Sequence, residues 1–214
     1  ESYQSLVGAL LYAATATRPD IAYAVGLLAR AMTYPTQDLW QSAVRVLIYL
    51  ARNEDRGLSF KVTEDDGCSR VVLKGLSDSD WSVRASTTGV CLFLDGILVV
   101  WISKRQACIA LSSTEAEIMA ASTAAIEIVF LRNALEELGL GQIAPTELGV
   151  DNSGAVDIAH DPMHRGRTMH IERRHLKVRE LVASGIIKVH KVHTDDNLAD
   201  IDFRRWRQAQ QQSA

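Results

Sequence analysis

The spacing of apolar residues changes near residue 58. Before that position, apolar side chains recur every three or four residues, which predicts amphipathic helices. Pro19 and Pro35 divide this part of the chain into three helices. We expect the second helix to run from Ile21 to about Met32, and the third to begin at a capping residue, Asp38. The pattern therefore predicts a small all-α module over residues 1–57.

After residue 70, strands and helices are mixed. Three strand-like runs come first, at 71–76, 89–94 and 97–102, and Asp95-Gly96 predicts a hairpin turn between the last two. The later predicted elements are a helix at 113–138, a strand at 146–150, a short helix, a basic helix near 168–183, a strand at 186–192 and a last helix from about Asn197. This order predicts an α/β fold in which helices cover a mixed sheet. We expect a linker at 58–70, a second domain at 71–207 and a disordered, glutamine-rich tail at 208–214.

Length and composition limit the class of protein. The chain has 214 residues, of which 47% are hydrophobic, enough for a sizeable core. We expect no membrane partner, because no apolar run is predicted to span a bilayer. Cys68, Cys91 and Cys108 form no Cys-x-x-Cys pair, which favours a reduced intracellular protein without structural zinc. The chain begins without Met and within a helical pattern, which predicts a fragment of a longer protein.

Separated acidic residues stand at positions where burying a carboxylate costs free energy unless it has a hydrogen-bond or metal partner. They are Asp78 at the end of a strand-like run, Glu117 in the first turns of the long helix, Asp151 after another apolar run, and Asp200 near the C-terminus. Carboxylates from separate elements can hold two Mg²⁺ ions, which together act on the attacking and leaving oxygens of a phosphodiester. The acids therefore predict metal-dependent cleavage of nucleic acid, with Mn²⁺ as a substitute metal.

Periodicity separates some acids from their neighbours and leaves others undecided. Glu117 heads the apolar face of the long helix, whereas Glu115 points almost oppositely and fits a capping box with Ser112. Asp78 and Asp80 lie on the same face of their strand, so alternation cannot choose between them.

The other two acids have competing structural roles. Asp151 could cap a helix, but Asn152 or Ser153 could do so instead. Asp200 stands at the third position of a predicted helix, where the helix dipole alone favours an acid. For Asp200, this structural role and metal binding are equal alternatives.

Basic residues and histidines supply candidates for substrate contact and proton transfer. The candidates for phosphate contact share a positive charge and are Arg84, Lys104, Arg105, Arg165, Arg167, Arg173 and Arg174. For those on the basic helix, an ordinary solvated face is an equal alternative. His164, beside a flexible Arg-Gly-Arg stretch, is the favoured proton-transfer residue, ahead of His170, His175 and His193. His160 and His164 have a zinc-like spacing, but no nearby Cys or further His completes a zinc site.

Several ordered motifs resemble the end of the Pol polyprotein of copia-type LTR retrotransposons. Those similar to its RNase H domain are Ser77-Asp78-Ser79-Asp80-Trp81, the runs 101–106 and 110–117, Asp151-Asn152, Arg167-Thr168 with His170-Ile171, and Leu198-Ala199-Asp200. Leu6-Val7-Gly8 and the run 17–21 resemble the thumb or connection segment after the reverse transcriptase palm. The resemblance implies an RNase H-like fold, with a five-stranded mixed sheet whose first three strands are antiparallel. It also implies Asp78, Glu117, Asp151 and Asp200 as the metal-binding acids, and so prefers Asp78 over Asp80.

The same resemblance implies a function and partners. The implied activity is that of an endoribonuclease H, which cleaves the RNA strand of RNA–DNA hybrids by a two-metal mechanism within a reverse transcriptase. The implied partners are the hybrid and the palm and fingers of the same polyprotein, in a cytoplasmic retrotransposon particle or in the nucleus. Met169, Leu176 and the run 201–206, which includes Asp202, depart from the family pattern. A catalytically inactive remnant that binds nucleic acid or has a structural role is therefore the alternative. The sequence leaves the oligomeric state undetermined.

Overall fold

The computed structural model describes residues 2–60, 71–82, 85–160 and 172–200, with only the backbone described at 172–175. The described chain forms two compact units, one ending at Phe60 and the other at Asp200. Most of the predicted linker at 58–70 and all of the predicted tail at 208–214 lie outside the described residues. The domain limits drawn from the sequence therefore stay a prediction.

The regular elements of the first unit, within residues 2–60, are all helices. Its elements are α1 (Tyr3–Ala16), a 3-10 turn (Pro19–Ile21), α2 (Ala22–Ala29) and α3 (Gln37–Arg52). Thr36, and not the predicted Asp38, caps α3, since its hydroxyl accepts a hydrogen bond from the Leu39 amide at 3.4 Å. Asp38 lies in the first turn of the helix, where its negative charge suits the helix dipole. The expectation of an all-α module before the sheet is confirmed.

The second unit is built on a mixed sheet. Its elements within the described residues are β1 (Leu73–Asp80), β2 (Thr87–Leu94), β3 (Ile97–Arg105), α4 (Ser113–Glu137), β4 (Thr146–Val150), α5 (Ser153–His160), α6 (Glu172–Ala183) and β5 (Ile187–Lys191). The strand order is β3-β2-β1-β4-β5. The first three strands pair antiparallel, and β4 pairs parallel with both β1 and β5. The predicted RNase H-like fold, a five-stranded mixed sheet flanked by helices, is confirmed.

The first three strands run further than the apolar pattern predicts. β1 continues past the predicted end at residue 76 because Asp78 pairs with Gly89 and Asp80 pairs with Thr87 in β2. Backbone hydrogen bonds to a neighbouring strand thus extend β1 through polar residues that carry no hydrophobic signal. The described part of the predicted last helix, which begins near Asn197, is a 3-10 turn at Leu198–Asp200, and the rest of that helix lies outside the described residues.

The long helix α4 is the core helix of this unit. By length and composition it is apolar enough to cross a membrane, with a mean hydropathy of 1.4, which the expectation from sequence overlooked. Its inner face packs on the sheet, where Ile128 is fully buried. A side-chain carbon added to Gly75 of β1 would lie 3.2 Å from Ile128 and 2.9 Å from Leu92. Glycine at this position therefore lets α4 lie close against β1.

Candidate metal centre

Two of the predicted acids come together at the ends of neighbouring strands. Ser77 of β1 and Val150 of β4 are the last residues paired between these parallel strands. Asp78 and Asp151 follow directly, so both project at the carboxyl edge of the sheet, where α/β proteins place ligands. Asn152 caps α5, since its side-chain oxygen accepts a hydrogen bond from the Ala155 amide at 3.1 Å. Capping is therefore not the role of Asp151.

Glu117 reaches the same edge from α4. One of its carboxylate oxygens accepts hydrogen bonds from the backbone amide and the hydroxyl of Ser79, at 3.0 and 2.7 Å. The other oxygen, Oε2, is buried and has no hydrogen-bond partner among the described residues. Glu115 bonds elsewhere, accepting from the Leu111 amide at 2.7 Å while Ser112 caps the helix. Glu115 and Glu117 thus have separate surroundings, as helical periodicity predicts.

Asp78, Glu117 and Asp151 form a compact cluster. Each offers one carboxylate oxygen, and these three oxygens lie within 4.8 Å of one another, the one such group found among the residues that the structure describes. Asp80, on the same strand as Asp78, is not in this group. Asp200 is also outside it, although its charge is close enough to raise the pKa of Asp78. The structure therefore brings three of the four predicted acids together and places the fourth nearby.

The pKa values of two clustered acids are shifted upward. Burial, followed by the negative charges of Asp151 and Asp200, raises the pKa of Asp78 to about 7. Burial and the charge of Asp78 raise the pKa of Glu117 to about 9, even though the Ser79 hydrogen bonds favour its ionised form. Without a cation the cluster holds protons near neutral pH. Acidic groups with pKa values shifted in this way are characteristic of functional sites.

The donor atoms of the cluster fit a hard divalent cation. All are carboxylate oxygens, which Mg²⁺ and Mn²⁺ prefer, and no cysteine or histidine belongs to the described group. The unpartnered Oε2 of Glu117 is a buried acceptor, which is costly to keep without a partner. A cation beside Asp78 and Asp151 would satisfy that oxygen and offset the charge that raises both pKa values.

The structure describes the side chains of only some of the basic residues that were predicted to contact phosphates. Lys104 and Arg105 are exposed at the end of β3, and they pair with Thr88 and Thr87 of the strand beside β1. Arg105, Thr87 and Asp80 are thus in register across three strands, at the edge that carries the acids. The remaining basic candidates are not placed: Arg173 and Arg174 have only their backbone described, in α6, and Arg84, Arg165 and Arg167 lie outside the described residues.

The structure likewise describes the side chains of only some of the candidate histidines. His164 and His170 lie outside the described residues, and only the backbone of His175 is described. His160 ends α5, and its Nε2 lies 2.9 Å from the Val189 carbonyl oxygen, which ties that helix to β5. His193 is exposed beside Asp195. None of these observations assigns the proton-transfer role, which stays a prediction.

Sequence reasoning missed three residues that shape the site. Ser79, between the two candidate aspartates, holds Glu117. Asn197 is 1% exposed and donates to the Ser77 carbonyl oxygen at 3.0 Å. Gln106 is buried and donates to the Ala116 carbonyl oxygen at 2.9 Å. Ser79 stands directly beside Asp78 in the sequence, but no periodicity shows which polar side chain turns inward.

The topology and the acid cluster define the class of this unit as an RNase H-like domain. Sequence comparison then gives the family. The chain is 38% identical over 203 residues to the retrovirus-related Pol polyprotein from transposon TNT 1-94 of Nicotiana tabacum, which covers 93% of this chain and 15% of that protein. It is 36% identical over 202 residues to the corresponding polyprotein from transposon RE2 of Arabidopsis thaliana, covering 92% and 14%. The chain is homologous to part of the retrovirus-related Pol polyproteins of plant transposons, and the recognition from its motifs is confirmed.

Other comparisons add context. The chain spans only 14–15% of the length of those two polyproteins. It is also 44% identical over 133 residues to the secreted RxLR effector protein 161 of Plasmopara viticola, covering 60% of this chain and 90% of that protein. No protein-family model matches. An RNase H domain from Mycobacterium tuberculosis aligns with a TM-score of 0.46 and 13% identity over 68% of this chain and 99% of that chain, so the fold assignment rests on the strand order and registers.

Proposed function

We propose that this chain is a ribonuclease H: a metal-dependent endonuclease that cleaves the RNA strand of RNA–DNA hybrids, as part of a retrotransposon reverse transcriptase. The observation that carries the proposal is the buried acid cluster, in which Glu117 Oε2 has no partner among the described residues. Homology to retrotransposon Pol polyproteins supports the same class of activity.

The acids have distinct tasks in this proposal. Asp78, Glu117 and Asp151 would hold Mg²⁺, and Asp200 would complete the ligand set for two ions. The chemistry that bound Mg²⁺ supplies is a lowered pKa for water and an offset of charge at the phosphate. The chain itself keeps the ligands rigid: the β1–β4 ladder sets Asp78 beside Asp151, and Ser79 orients Glu117 by two hydrogen bonds. Ligands fixed in advance need little reorganisation when substrate arrives.

Substrate contact and proton transfer fall to residues outside the cluster. The basic residues proposed to contact phosphates are Arg84, Lys104, Arg105, Arg165, Arg167, Arg173 and Arg174. A hybrid is recognised by shape and by its 2′-hydroxyl groups, so base contacts are not required. His164 is proposed to protonate the leaving oxygen. The palm and fingers of the same polyprotein would act beside this domain, in a cytoplasmic particle or in the nucleus.

The test is cleavage of a defined substrate. The purified 214-residue chain is incubated with Mg²⁺ and an RNA–DNA hybrid labelled on its RNA strand, with duplex DNA and single-stranded RNA as controls. We expect cleavage of the RNA strand of the hybrid alone. Asp151→Asn preserves the volume of the side chain and removes its charge, so it should abolish cleavage while the circular dichroism spectrum stays unchanged.

Two results would contradict the proposal. Cleavage by Asp151→Asn at the wild-type rate would remove Asp151 from the metal ligands. Hybrid binding by the wild-type chain without any cleavage, in either Mg²⁺ or Mn²⁺, would favour the alternative of an inactive nucleic-acid-binding remnant.

A further inference from the structure

Two of the four candidate metal-binding acids neither lie on a strand nor directly follow one. Asp78 is held by the β1 ladder, and Asp151 directly follows the ladder of β4. Glu117 lies on α4 and Asp200 ends a 3-10 turn, so sheet hydrogen bonds do not place either of them. Contacts other than sheet hydrogen bonds must therefore hold α4 and the Asp200 turn close to the acids of the sheet.

Asn197 ties the segment that carries Asp200 to β1. Its side chain is 1% exposed and donates to the Ser77 carbonyl oxygen at 3.0 Å. Its side-chain oxygen accepts from the Ala199 amide at 3.2 Å, and its own carbonyl accepts from the Asp200 amide at 3.0 Å. One residue thus bonds next to Asp78 on one side and to the backbone of the Asp200 turn on the other.

Gln106 has the same relation to Glu117. It follows the last residue of β3 and is 7% exposed. Its side-chain nitrogen donates to the Ala116 carbonyl oxygen at 2.9 Å and to the Thr88 hydroxyl oxygen at 3.1 Å. Ala116 directly precedes Glu117, so these bonds tie the first turns of α4 to β2.

Burial of the Gln106 side chain carries a free-energy cost. Its side-chain oxygen is buried and has no hydrogen-bond partner among the described residues. A buried acceptor without a partner is unfavourable, so the amide costs free energy that its two donated bonds must offset. Leucine would fill similar space without the orphaned oxygen.

We propose that Gln106 and Asn197 are positioning residues, which hold Glu117 and Asp200 at the metal centre without contacting the metal. This inference rests on the proposed function insofar as the acids bind a divalent cation. Its substance is geometric: each buried amide joins the sheet to the backbone next to an acid that no strand places. Loss of either amide should lower metal affinity more than it lowers the stability of the fold.

Gln142 offers a matched control at a distance from the acids. Its side chain also bridges backbone groups, accepting from the Leu73 amide at 3.1 Å and donating to the Val71 carbonyl oxygen at 2.7 Å. Leu73 is the first residue of β1, whereas Asp78 lies near its other end. Gln142→Leu therefore removes an amide of the same kind, whose bridging hydrogen bonds involve neither α4 nor the turn that carries Asp200.

The experiment measures Mn²⁺ binding to the full chain from the electron paramagnetic resonance signal of the free ion. It compares wild type with Gln106→Leu, Asn197→Ala and Gln142→Leu. Because residues that orient metal ligands typically contribute about 10–100-fold to affinity, we expect losses of that size for the first two variants and none for the third. Melting temperatures recorded with and without Mn²⁺ give a second readout, in which only the first two variants should lose the metal-induced rise. Asn197→Ser, which keeps an oxygen for the Ala199 amide, replaces Asn197→Ala if that variant does not fold.

The outcomes separate this inference from the proposed function. Wild-type Mn²⁺ affinity in both amide variants would overturn it, even if the wild-type chain cleaves hybrids. An equal loss of affinity in Gln142→Leu would also overturn it, because the effect would then be general destabilisation. A wild-type chain that binds Mn²⁺ and cleaves nothing would reject the ribonuclease proposal and leave the positioning roles intact. A wild-type chain that binds no Mn²⁺ would reject both.

Discussion

Acids in the helical unit and in the sheet unit have opposite surroundings, and their pKa values shift in opposite directions. In the helical unit, Asp20 receives hydrogen bonds from Arg18 at 2.8 and 2.9 Å and from the Tyr49 hydroxyl at 2.9 Å. Burial acts to raise the pKa of Asp20, but these bonds and the charge of Arg18 outweigh it and lower the pKa. In the sheet unit, Asp78 and Glu117 face other acids, and their pKa values rise.

This difference shows which acids are structural. A carboxylate with a cation and two donors is satisfied within the fold, so Asp20 needs nothing from outside. Glu117 keeps a buried oxygen without a partner among the described residues, and its neighbours repel its charge. Such an arrangement is costly in the isolated chain and becomes favourable when a divalent cation binds.

The largest expected effect comes from Glu117→Gln. Loss of its charge should lower hybrid cleavage by on the order of 10²–10³-fold, the range seen when one preorganised electrostatic group is removed. Glu115→Gln on the same helix should leave cleavage unchanged and cost at most about 1 kcal/mol, because an amide oxygen can still accept from the Leu111 amide. Single-turnover rates with Mg²⁺ measure the first effect and urea unfolding the second. Equal losses of activity in two folded variants would reject the assignment of the two acids.

Breaking the structural acid of the helical unit should cost stability and not metal affinity. Arg18→Met leaves Asp20 and the Tyr49 hydroxyl without their cation, and Arg18 is only 8% exposed. Removing one partner of a buried pair typically costs about 3 kcal/mol. Chemical unfolding measures that loss, and Mn²⁺ binding to the folded variant should equal that of wild type. A fully stable variant would show that the ion pair contributes nothing to this unit.

The pH dependence of stability should distinguish the two kinds of acid. The folded-state pKa values of about 7 for Asp78 and about 9 for Glu117 exceed the unfolded values of about 4, so the folded state binds these protons more tightly. Their stabilisation is present below about pH 4 and is lost as the pH rises through 7 and then 9.

Asp78→Asn removes the first of these losses. We expect it to gain on the order of 2 kcal/mol relative to wild type between pH 5 and pH 8 in metal-free buffer. Unfolding free energies at the two pH values provide the measurement, and saturating Mg²⁺ should favour wild type again. A gain that is the same at both pH values would mean that Asp78 titrates normally.

The smallest expected effect concerns the basic helix. Arg173→Ala combined with Arg174→Ala should weaken hybrid binding, and the slope of log affinity against log salt should fall by about 0.7–0.9 for each phosphate that the variant no longer neutralises. Turnover at saturating substrate should hardly change, because these residues would position phosphates. Binding titrations at several salt concentrations decide the matter. An unchanged slope would assign the two arginines to a solvated helix face and leave phosphate binding to Lys104 and Arg105.

The sequence predicted the order of the elements well, because that order depends on local patterns. The β4 bounds, 146–150, were predicted as observed, since an apolar run between turn residues carries a clear signal. The start of α4 at Ser113 follows from its capping residue, Ser112, for the same reason. The end of β1 was predicted too early, because pairing of Asp78 and Asp80 with β2 leaves no trace in hydrophobicity.

Local chemistry in the sequence therefore determined that this chain has separated acids on an α/β scaffold, together with motifs similar to those of retrotransposon RNase H. The tertiary structure agrees with the family motifs in placing Asp78, and not Asp80, in the acid cluster. Only the tertiary structure gave Asn152 and not Asp151 the capping role, and revealed Ser79, Gln106 and Asn197 around the site. The reason is physical: hydrophobic periodicity reports which face of an element is buried. The partner of each buried polar atom depends instead on strand register and on contacts between residues as distant in sequence as Ser77 and Asn197.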